Sequence, residues 1–189
     1  QHKAGERLQQ LAINNVHAFL FIGPEGCGKE DAARTFASVL ITGSDNENSR
    51  EADLITRGAF ADVVEVLREG AAVDKDEAEE IIRLASTTPT ESNVKVVIIH
   101  EVHLMRDSAA ARLLKTIEEP SEKVIFILLA DQLVPSLATI NSRCVVVNFM
   151  RLTNDIISET LCNEGVEQGV AIAAANVAAG NLPRARLLA

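Results

Sequence analysis

Short apolar runs alternate along the chain with segments in which apolar residues recur every three or four positions. The runs are typical of buried strands, and the second spacing is typical of the apolar face of a helix. Strands are predicted at 17–22, 62–67, 94–99, 124–130 and 144–149. Helices are predicted at 29–41, from Asp74 onward, from Asp107 to Pro120, at 156–162 and 166–179, and from Pro183 onward.

Residues at the segment boundaries support these ends. Asp74 can cap a helix, with Glu77 three residues later as its capping-box partner, and Asp107 is expected to cap the following helix. Pro120 closes that helix, and Gly180 ends the Ala-rich one. The polar stretch at 42–50 predicts a surface loop.

The alternation of strands with helices predicts an α/β fold, in which helices cover both faces of a parallel sheet. Residues 124–130 form the most apolar run and are expected to be the central strand. After Met150 the pattern is helical only. We therefore expect two domains: an α/β nucleotide-binding-type domain at 1–150 and a small helical domain at 151–189.

The composition narrows the class of function. The chain has 189 residues, 47% of them hydrophobic, which is enough for a sizeable core, and no apolar run reaches the length of a membrane span. The net charge of −9 argues against a free-standing nucleic-acid-binding protein. The three cysteines, Cys27, Cys144 and Cys162, are odd in number and form no C-x-x-C pair. We therefore expect neither a disulfide framework nor a metal site. Reduced cysteines are typical of a cytoplasmic protein, which is the location we expect.

A glycine-rich segment, 23–30, lies between the first predicted strand and the first predicted helix. It follows the phosphate-binding pattern G-x-x-x-x-G-K-[ST], in which backbone N–H groups and the Lys hold phosphates and the final hydroxyl binds Mg²⁺. The hydroxyl position is Glu30. The candidate nucleotide-binding residues are Gly23, Gly26, Cys27, Gly28, Lys29 and Glu30.

The carboxylate of Glu30 has three possible roles. It could bind the metal in place of the hydroxyl, or it could repel the phosphates where no metal is present. It could also serve only as an acid in the first helical turn, where the helix dipole favours negative charge.

The end of the third predicted strand carries a second altered position. Active phosphate-loop ATPases have an acid pair there, one acid for Mg²⁺ and a Glu that orients or activates water. Here His100 precedes Glu101, and imidazole is a poor Mg²⁺ ligand. Two altered magnesium positions predict that hydrolysis has been lost. His100 and His103 are three residues apart, so they do not form the H-E-x-x-H zinc motif.

Three segments resemble the AAA+ clamp-loader subunits of bacterial DNA polymerase III. They are 17–21 running into the glycine loop, Leu113-Leu114-Lys115-Thr116-Ile117-Glu118-Glu119-Pro120, and Ser142-Arg143-Cys144. The resemblance extends from about residue 7 onward. It implies an α/β ATPase-type domain, a helical lid and a following collar domain. Glu30 and His100 make the chain similar to the delta-prime type, which need not hydrolyse ATP.

The resemblance also implies roles for individual residues. Arg143 would be an arginine finger that acts on the ATP of a neighbouring subunit, and Glu101 matches the water-activating acid. Arg184 matches the second sensor loosely, with Arg186 as a competing candidate. Asp131 and Gln132 stand where relatives have a small polar sensor residue. The four-cysteine zinc module of many relatives is missing between Cys27 and Cys144.

The resemblance implies partners but no tightly bound cofactor. ATP, ADP and Mg²⁺ would bind weakly, and any ATPase activity of the chain's own is expected to be absent. The expected partners are the motor ATPase subunits and the delta subunit, with the sliding clamp and primer-template DNA within the assembly. One alternative is an active motor-type (gamma/tau-like) subunit in which Glu30 binds the metal. A small-molecule phosphotransferase is a third, weaker alternative, because Ser142-Arg143-Cys144 has no role in it.

Overall fold

In the computed structural model, residues 16–43, 49–68, 70, 75–121 and 123–189 are described. One parallel sheet contains β1 Ala18–Ile22, β2 Val63–Val66, β3 Lys95–Ile99, β4 Val124–Ala130 and β5 Val145–Asn148. The α/β part also contains the helices α1 Lys29–Thr42, α2 Arg50–Thr56, α3 Lys75–Ala85, α4 Asp107–Glu118 and α5 Ala138–Asn141. The C-terminal part contains α6 Asn154–Asn163, α7 Gln168–Ala178 and α8 Leu182–Leu188.

The strands run in the order β2-β3-β4-β1-β5, and all pair in parallel. Every residue of β4 is buried, which confirms the prediction that this strand is central. Strand β1 lies between β4 and β5, with Ile22 level with Ala130 on one side and Asn148 on the other. The predicted α/β class and parallel sheet are therefore confirmed.

Successive side chains of a strand point to opposite faces, so β1 contributes to two cores. Phe19 packs against Phe36 of α1 in an edge-to-face contact, with ring centroids 4.8 Å apart. Leu20 faces the other side, where it belongs to the cluster that contains Leu113 and Ile117 of α4. Helices therefore cover both faces of the sheet, as expected for apolar parallel strands.

Helices α6 to α8 share a core of their own. Its buried members are Ile157, Leu161, Ala171, Ala174, Ala175, Ala178, Leu182 and Ala185. Two backbone hydrogen bonds connect this part to the chain before it, from Leu152 N–H to Gly180 O at 3.3 Å and from Leu182 N–H to Gly26 O at 3.0 Å. The division into domains at residue 150 stays a prediction.

The ends of two helices differ from the predictions. Arg106, not Asp107, is the N-cap of α4, because its backbone is extended (φ −71°, ψ 150°) and Asp107 is already helical. Asp107 therefore acts as an acid in the first turn, where the helix dipole stabilises it. The predicted cap at Asp74 lies outside the described residues.

Helix α2 was not predicted from the sequence. Ser49 caps it by accepting a hydrogen bond from Ala52 N–H at 3.1 Å. The helix is only seven residues long, too short for a clear helical repeat. Among the described helices, none combines the length and hydrophobicity needed to cross a lipid bilayer.

Candidate functional site

The glycine loop connects the end of β1 to the start of α1. Gly23 N–H donates to Ala130 O at 3.0 Å, which ties the loop to the end of β4. Gly26 (φ 72°) and Gly28 (φ 85°) adopt left-handed backbone conformations that glycine allows at little cost. The first N–H groups of α1 have no partner within the helix, so the loop has the backbone of an anion cradle.

The ammonium of Lys29 lies between two carboxylates. Its Nζ is 2.8 Å from Asp131 Oδ1 and 3.0 Å from Glu30 Oε1, and only 3% of its side chain is exposed. Burial by itself would lower the pKa of Lys29, but the hydrogen bonds to Asp131 and Glu30 outweigh it and raise that pKa above its ordinary value. The cation that would meet phosphate oxygens is therefore already neutralised by the chain.

Asp131 is held in turn by His103. Asp131 N–H donates to His103 Nδ1 at 3.2 Å, and His103 Nε2 lies 3.7 Å from Asp131 Oδ2. Because Nδ1 accepts a hydrogen bond, the neutral ring carries its proton on Nε2. The sequence identified Asp131 only as an unusual residue at a sensor position, and it gave no role to His103.

His100 belongs to a second charged network beside the loop. Its Nε2 lies 3.1 Å from Glu65 Oε2, and Arg34 binds the same carboxylate through Nε at 2.7 Å and Nη2 at 2.9 Å. Burial would raise the pKa of Glu65, but His100 and Arg34 lower it to about 2. The imidazole at the altered magnesium position is thus engaged by a carboxylate of β2.

Glu101 has a partner as well. Its backbone is left-handed (φ 50°), and its carboxylate lies 3.2 Å from Arg68 Nε and 3.4 Å from Arg68 Nη2. Arg68 follows β2, so the ion pair joins the ends of two neighbouring strands. The role of Glu101 as a water-activating acid stays a prediction.

The C-terminal helices contact the glycine loop through Asn181. A Cβ atom placed on Gly26 would lie 2.3 Å from Asn181 Cγ, so the amide is seated directly against the loop. Asn181 Oδ1 also accepts from Arg184 N–H at 2.9 Å and caps α8. Sequence reasoning missed this contact, although an Asn before a proline-led helix is a recognisable N-cap.

The two sensor candidates in α8 differ in their surroundings. Both arginines are exposed, but Arg186 pairs with Glu164, with Nη2 2.7 Å from Oε1, whereas Arg184 makes no ion pair with any described residue. The raised pKa of Arg186 has this pair as its main cause. The assignment of either arginine as a sensor stays a prediction.

Arg143 lies far from the loop of its own chain. It precedes β5, whereas the loop follows β1, and the two strands are parallel with Ile22 level with Asn148. The loop and Arg143 therefore lie at opposite ends of two neighbouring parallel strands, separated by roughly 15–20 Å along the strand direction. The residue after Arg143 is Cys144, and burial raises the pKa of its thiol to about 12.

The guanidinium of Arg143 is held by three groups of its own chain. Nε pairs with Glu118, and Nη1 donates to Thr139 O and to Ser142 Oγ, each at 3.0 Å. The side chain remains 40% exposed. It is therefore oriented and accessible at the same time.

The strand order, the glycine loop after β1 and the helical C-terminal part define an α/β fold that resembles the fold of AAA+ proteins. The family model described as "DNA polymerase III, delta subunit" matches residues 1–153. The chain therefore belongs to this family of DNA polymerase III clamp-loader subunits.

Curated relatives agree with this family. The chain is 32% identical to the DNA polymerase III subunit delta' of Bacillus subtilis over 181 residues, which is 90% of the chain and 55% of the relative. It is 38% identical to the subunit tau of the same species over 148 residues, which is 75% of the chain and 26% of the relative. The chain thus spans about a quarter to a half of the length of these relatives.

Solved structures support the fold. A DNA polymerase III gamma subunit-related protein from Thermotoga maritima has a TM-score of 0.64 at 21% identity, over 92% of the chain and 57% of that protein. The clamp loader delta protein of Bacillus subtilis gives 0.53 at 13% identity, over 97% of the chain and 57% of that protein. At these identities the likeness concerns the fold alone.

Proposed function

We propose that the chain is a delta-prime-like clamp-loader subunit that does not hydrolyse ATP and lends Arg143 to the ATP site of a neighbouring motor subunit. The observation that carries the proposal is a contrast between two cations. Lys29 is buried and neutralised by two carboxylates, whereas Arg143 is oriented and accessible at the opposite end of the strands.

The side chains at the glycine loop suit a magnesium nucleotide poorly. A triphosphate would have to displace Glu30 and Asp131 from Lys29, or lie beside them. Two like charges about 4 Å apart cost about 4 kcal/mol at an effective dielectric near 20. In addition, Asn181 is seated against Gly26, and His100 is engaged by Glu65. We therefore expect ATP, ADP and Mg²⁺ to bind weakly here, without hydrolysis.

The position of Arg143 favours action on a second subunit. The parallel register separates it from its own loop by most of the length of the sheet, so it has no access to a phosphate bound there. A guanidinium is always charged and offers several donors in a fixed plane, which suits phosphate oxygens. A neighbouring subunit that docks at this end of the strands would receive that group.

The chemical contribution of Arg143 would be electrostatic. In the neighbouring site, a water oxygen attacks the γ-phosphorus, and the bond to the β–γ bridging oxygen breaks to release ADP and phosphate. Arg143 would stabilise the negative charge on the transferring group without taking up a proton. The proton of the attacking water leaves to groups of the motor subunit or to solvent.

The family implies the setting in which this happens. The partners would be the motor ATPase subunits and the delta subunit in the cytoplasm, with the sliding clamp and primer-template DNA bound by the assembly. The net charge of −9 favours contact with DNA through such an assembly over independent binding.

The test is a loader reconstituted from full-length subunits with Arg143→Ala. Arginine fingers contribute about 10³–10⁵-fold at the site they serve, so DNA-stimulated hydrolysis next to this subunit should fall at least tenfold. Arg57→Ala is a matched control, since Arg57 is an exposed arginine whose side chain pairs, among the described residues, with Asp53 of its own helix turn. An unchanged rate for Arg143→Ala would refute the finger.

One observation favours a second candidate, an active motor-type subunit. The identity to the tau subunit, 38%, exceeds the 32% to delta', and Lys29 and Glu101 are both retained. In that case Glu30 would bind the metal. Calorimetric titration with ATP separates the two, because micromolar, Mg²⁺-dependent binding would favour the motor-type subunit.

A further inference from the structure

Glu118 and Arg143 form an ion pair that joins α4 to the turn before β5, at the end of the strands that lies away from the glycine loop. Glu118 is the last residue of α4, and Arg143 lies in the turn between α5 and β5. The carboxyl end of a helix carries partial negative charge, so α4 and its terminal Glu attract the same guanidinium. The side chains are 42% and 40% exposed, so the pair lies on an accessible surface.

The three guanidinium nitrogens of Arg143 differ in their hydrogen-bond partners. Nε is taken by Glu118, and Nη1 by Thr139 O and Ser142 Oγ. In the described part of the chain, Nη2 has no intramolecular acceptor. Because a guanidinium is planar, fixing Nε and Nη1 also fixes the direction in which the N–H groups of Nη2 point.

We infer that Glu118 is a positioning residue, which orients Arg143 before a neighbouring subunit docks and leaves Nη2 as the donor to that subunit's phosphate. This inference rests on the proposed function of Arg143. An unheld arginine would have to lose its rotamer freedom during each catalytic event, at a cost that preorganisation avoids.

The negative charge of Glu118 also has an opposing effect on hydrolysis, because it partly cancels the positive charge of Arg143. The two effects predict different results for different substitutions. Glu118→Gln removes the charge and retains an oxygen that can accept from Nε. Glu118→Ala removes both. If Glu118 orients Arg143, ATP hydrolysis should be slower in the Glu118→Ala variant alone. If Glu118 mainly cancels the charge of Arg143, hydrolysis should be faster in both variants.

The experiment measures ATP hydrolysis by reconstituted loaders that carry the full-length subunit. Glu118→Ala should lower kcat about fivefold, since exposed pairs contribute up to about 1 kcal/mol, while KM for ATP stays unchanged because the motor subunit binds the nucleotide. Glu118→Gln should recover the rate to within about twofold. Glu119→Ala, which removes the exposed carboxylate next in the chain, is the matched control.

A double-mutant cycle with Arg143→Ala separates positioning from a general structural role. In the Arg143→Ala background, Glu118→Ala should have no further effect on kcat. A persistent loss of rate in that background, an equal loss with Gln, or faster hydrolysis in both Glu118 variants would overturn the inference. If Arg143→Ala alone leaves the rate unchanged, the proposed function itself fails, so the two failures are distinguishable.

Discussion

Lys29 of the glycine loop and Asp131 at the end of β4 form a partly buried ion pair, with 2.8 Å between Nζ and Oδ1. They are 102 positions apart in the sequence and meet because β1 and β4 are neighbours in the sheet. With Glu30, Asp131 places two negative groups where a nucleotide-binding loop has phosphate oxygens. The chain itself thus provides the negative charges that pair with Lys29.

Removal of these two charges should restore anion binding to the loop. We expect the double variant Glu30→Thr, Asp131→Asn to bind inorganic pyrophosphate or ATP at least tenfold more tightly than the unchanged protein, because it frees Lys29 and removes two repulsive charges. Isothermal titration calorimetry measures this directly. A control variant with Asp155→Asn and Glu159→Gln, which removes two exposed acids of α6, makes the same change in net charge.

Unchanged affinity in the double variant would contradict the account of the loop. It would mean that the contact of Asn181 with Gly26, not the charges, determines access. Adding Asn181→Ala to the double variant would then show which of the two matters.

The substitution Gly26→Ala should destabilise the protein more than Gly28→Ala. Both positions have positive φ, which costs a non-glycine residue about 1–2 kcal/mol. Only at Gly26 does the added Cβ also collide with a side chain, that of Asn181, whereas the space at Gly28 is open. Urea unfolding measures the difference in the free energy of unfolding between the two variants.

The variant Asn181→Ala tests whether the collision with Asn181 causes the additional loss of stability in Gly26→Ala. In a Gly26→Ala, Asn181→Ala protein, the additional loss at Gly26 should largely disappear, because the colliding amide has gone. Equal losses for Gly26→Ala and Gly28→Ala would show that Asn181 does not rest against the loop in solution.

The network of Glu65 with Arg34 and His100 should make stability depend on acid pH. The pKa of Glu65 is about 2 when folded, below its ordinary value of 4.5, so its contribution is complete above about pH 4.5 and is lost as the pH falls towards 2. That contribution is about 3 kcal/mol at most. Glu65→Gln should therefore reduce the free energy of unfolding at pH 6, and its difference from the unchanged protein should shrink towards pH 2–3.

Denaturant unfolding between pH 2 and pH 6 measures this dependence. Glu80→Gln is the control, since the pKa of Glu80 is also lowered by an arginine, Arg83, but the pair is fully exposed. We expect Glu80→Gln to leave the pH profile nearly unchanged, because exposed pairs contribute little. If the free energy of unfolding differs by the same amount between Glu65→Gln and the unchanged protein across this pH range, Glu65 is not the source of the pH dependence.

Local patterns were sufficient to predict much of the fold. The apolar run at 124–130 identified the central strand, and the glycine spacing at 23–29 placed the loop between β1 and α1, because both signals lie within short stretches of sequence. Helix α2 was missed, since it is a single short segment stabilised by the cap at Ser49.

The contacts that decide the chemistry were not predictable in the same way. The pairing of Lys29 with Asp131, and of Glu118 with Arg143, depends on strand order and on the angle between elements that are distant in sequence. The seating of Asn181 on Gly26 depends on how the C-terminal helices pack. Sequence alone marked Glu30 and His100 as altered, whereas the structure shows what they contact instead.

We have proposed that this subunit supplies chemistry to its neighbour's ATP site and performs none at its own glycine loop. The most direct test compares Lys29→Arg with Arg143→Ala in otherwise identical reconstituted loaders, with assembly verified for both. Lys29→Arg keeps the charge but not the geometry that a phosphate-binding Lys requires. We predict that DNA-stimulated ATP hydrolysis is unchanged by Lys29→Arg and falls at least tenfold at the adjacent site with Arg143→Ala. The reverse result, a loss with Lys29→Arg and none with Arg143→Ala, would contradict the claim.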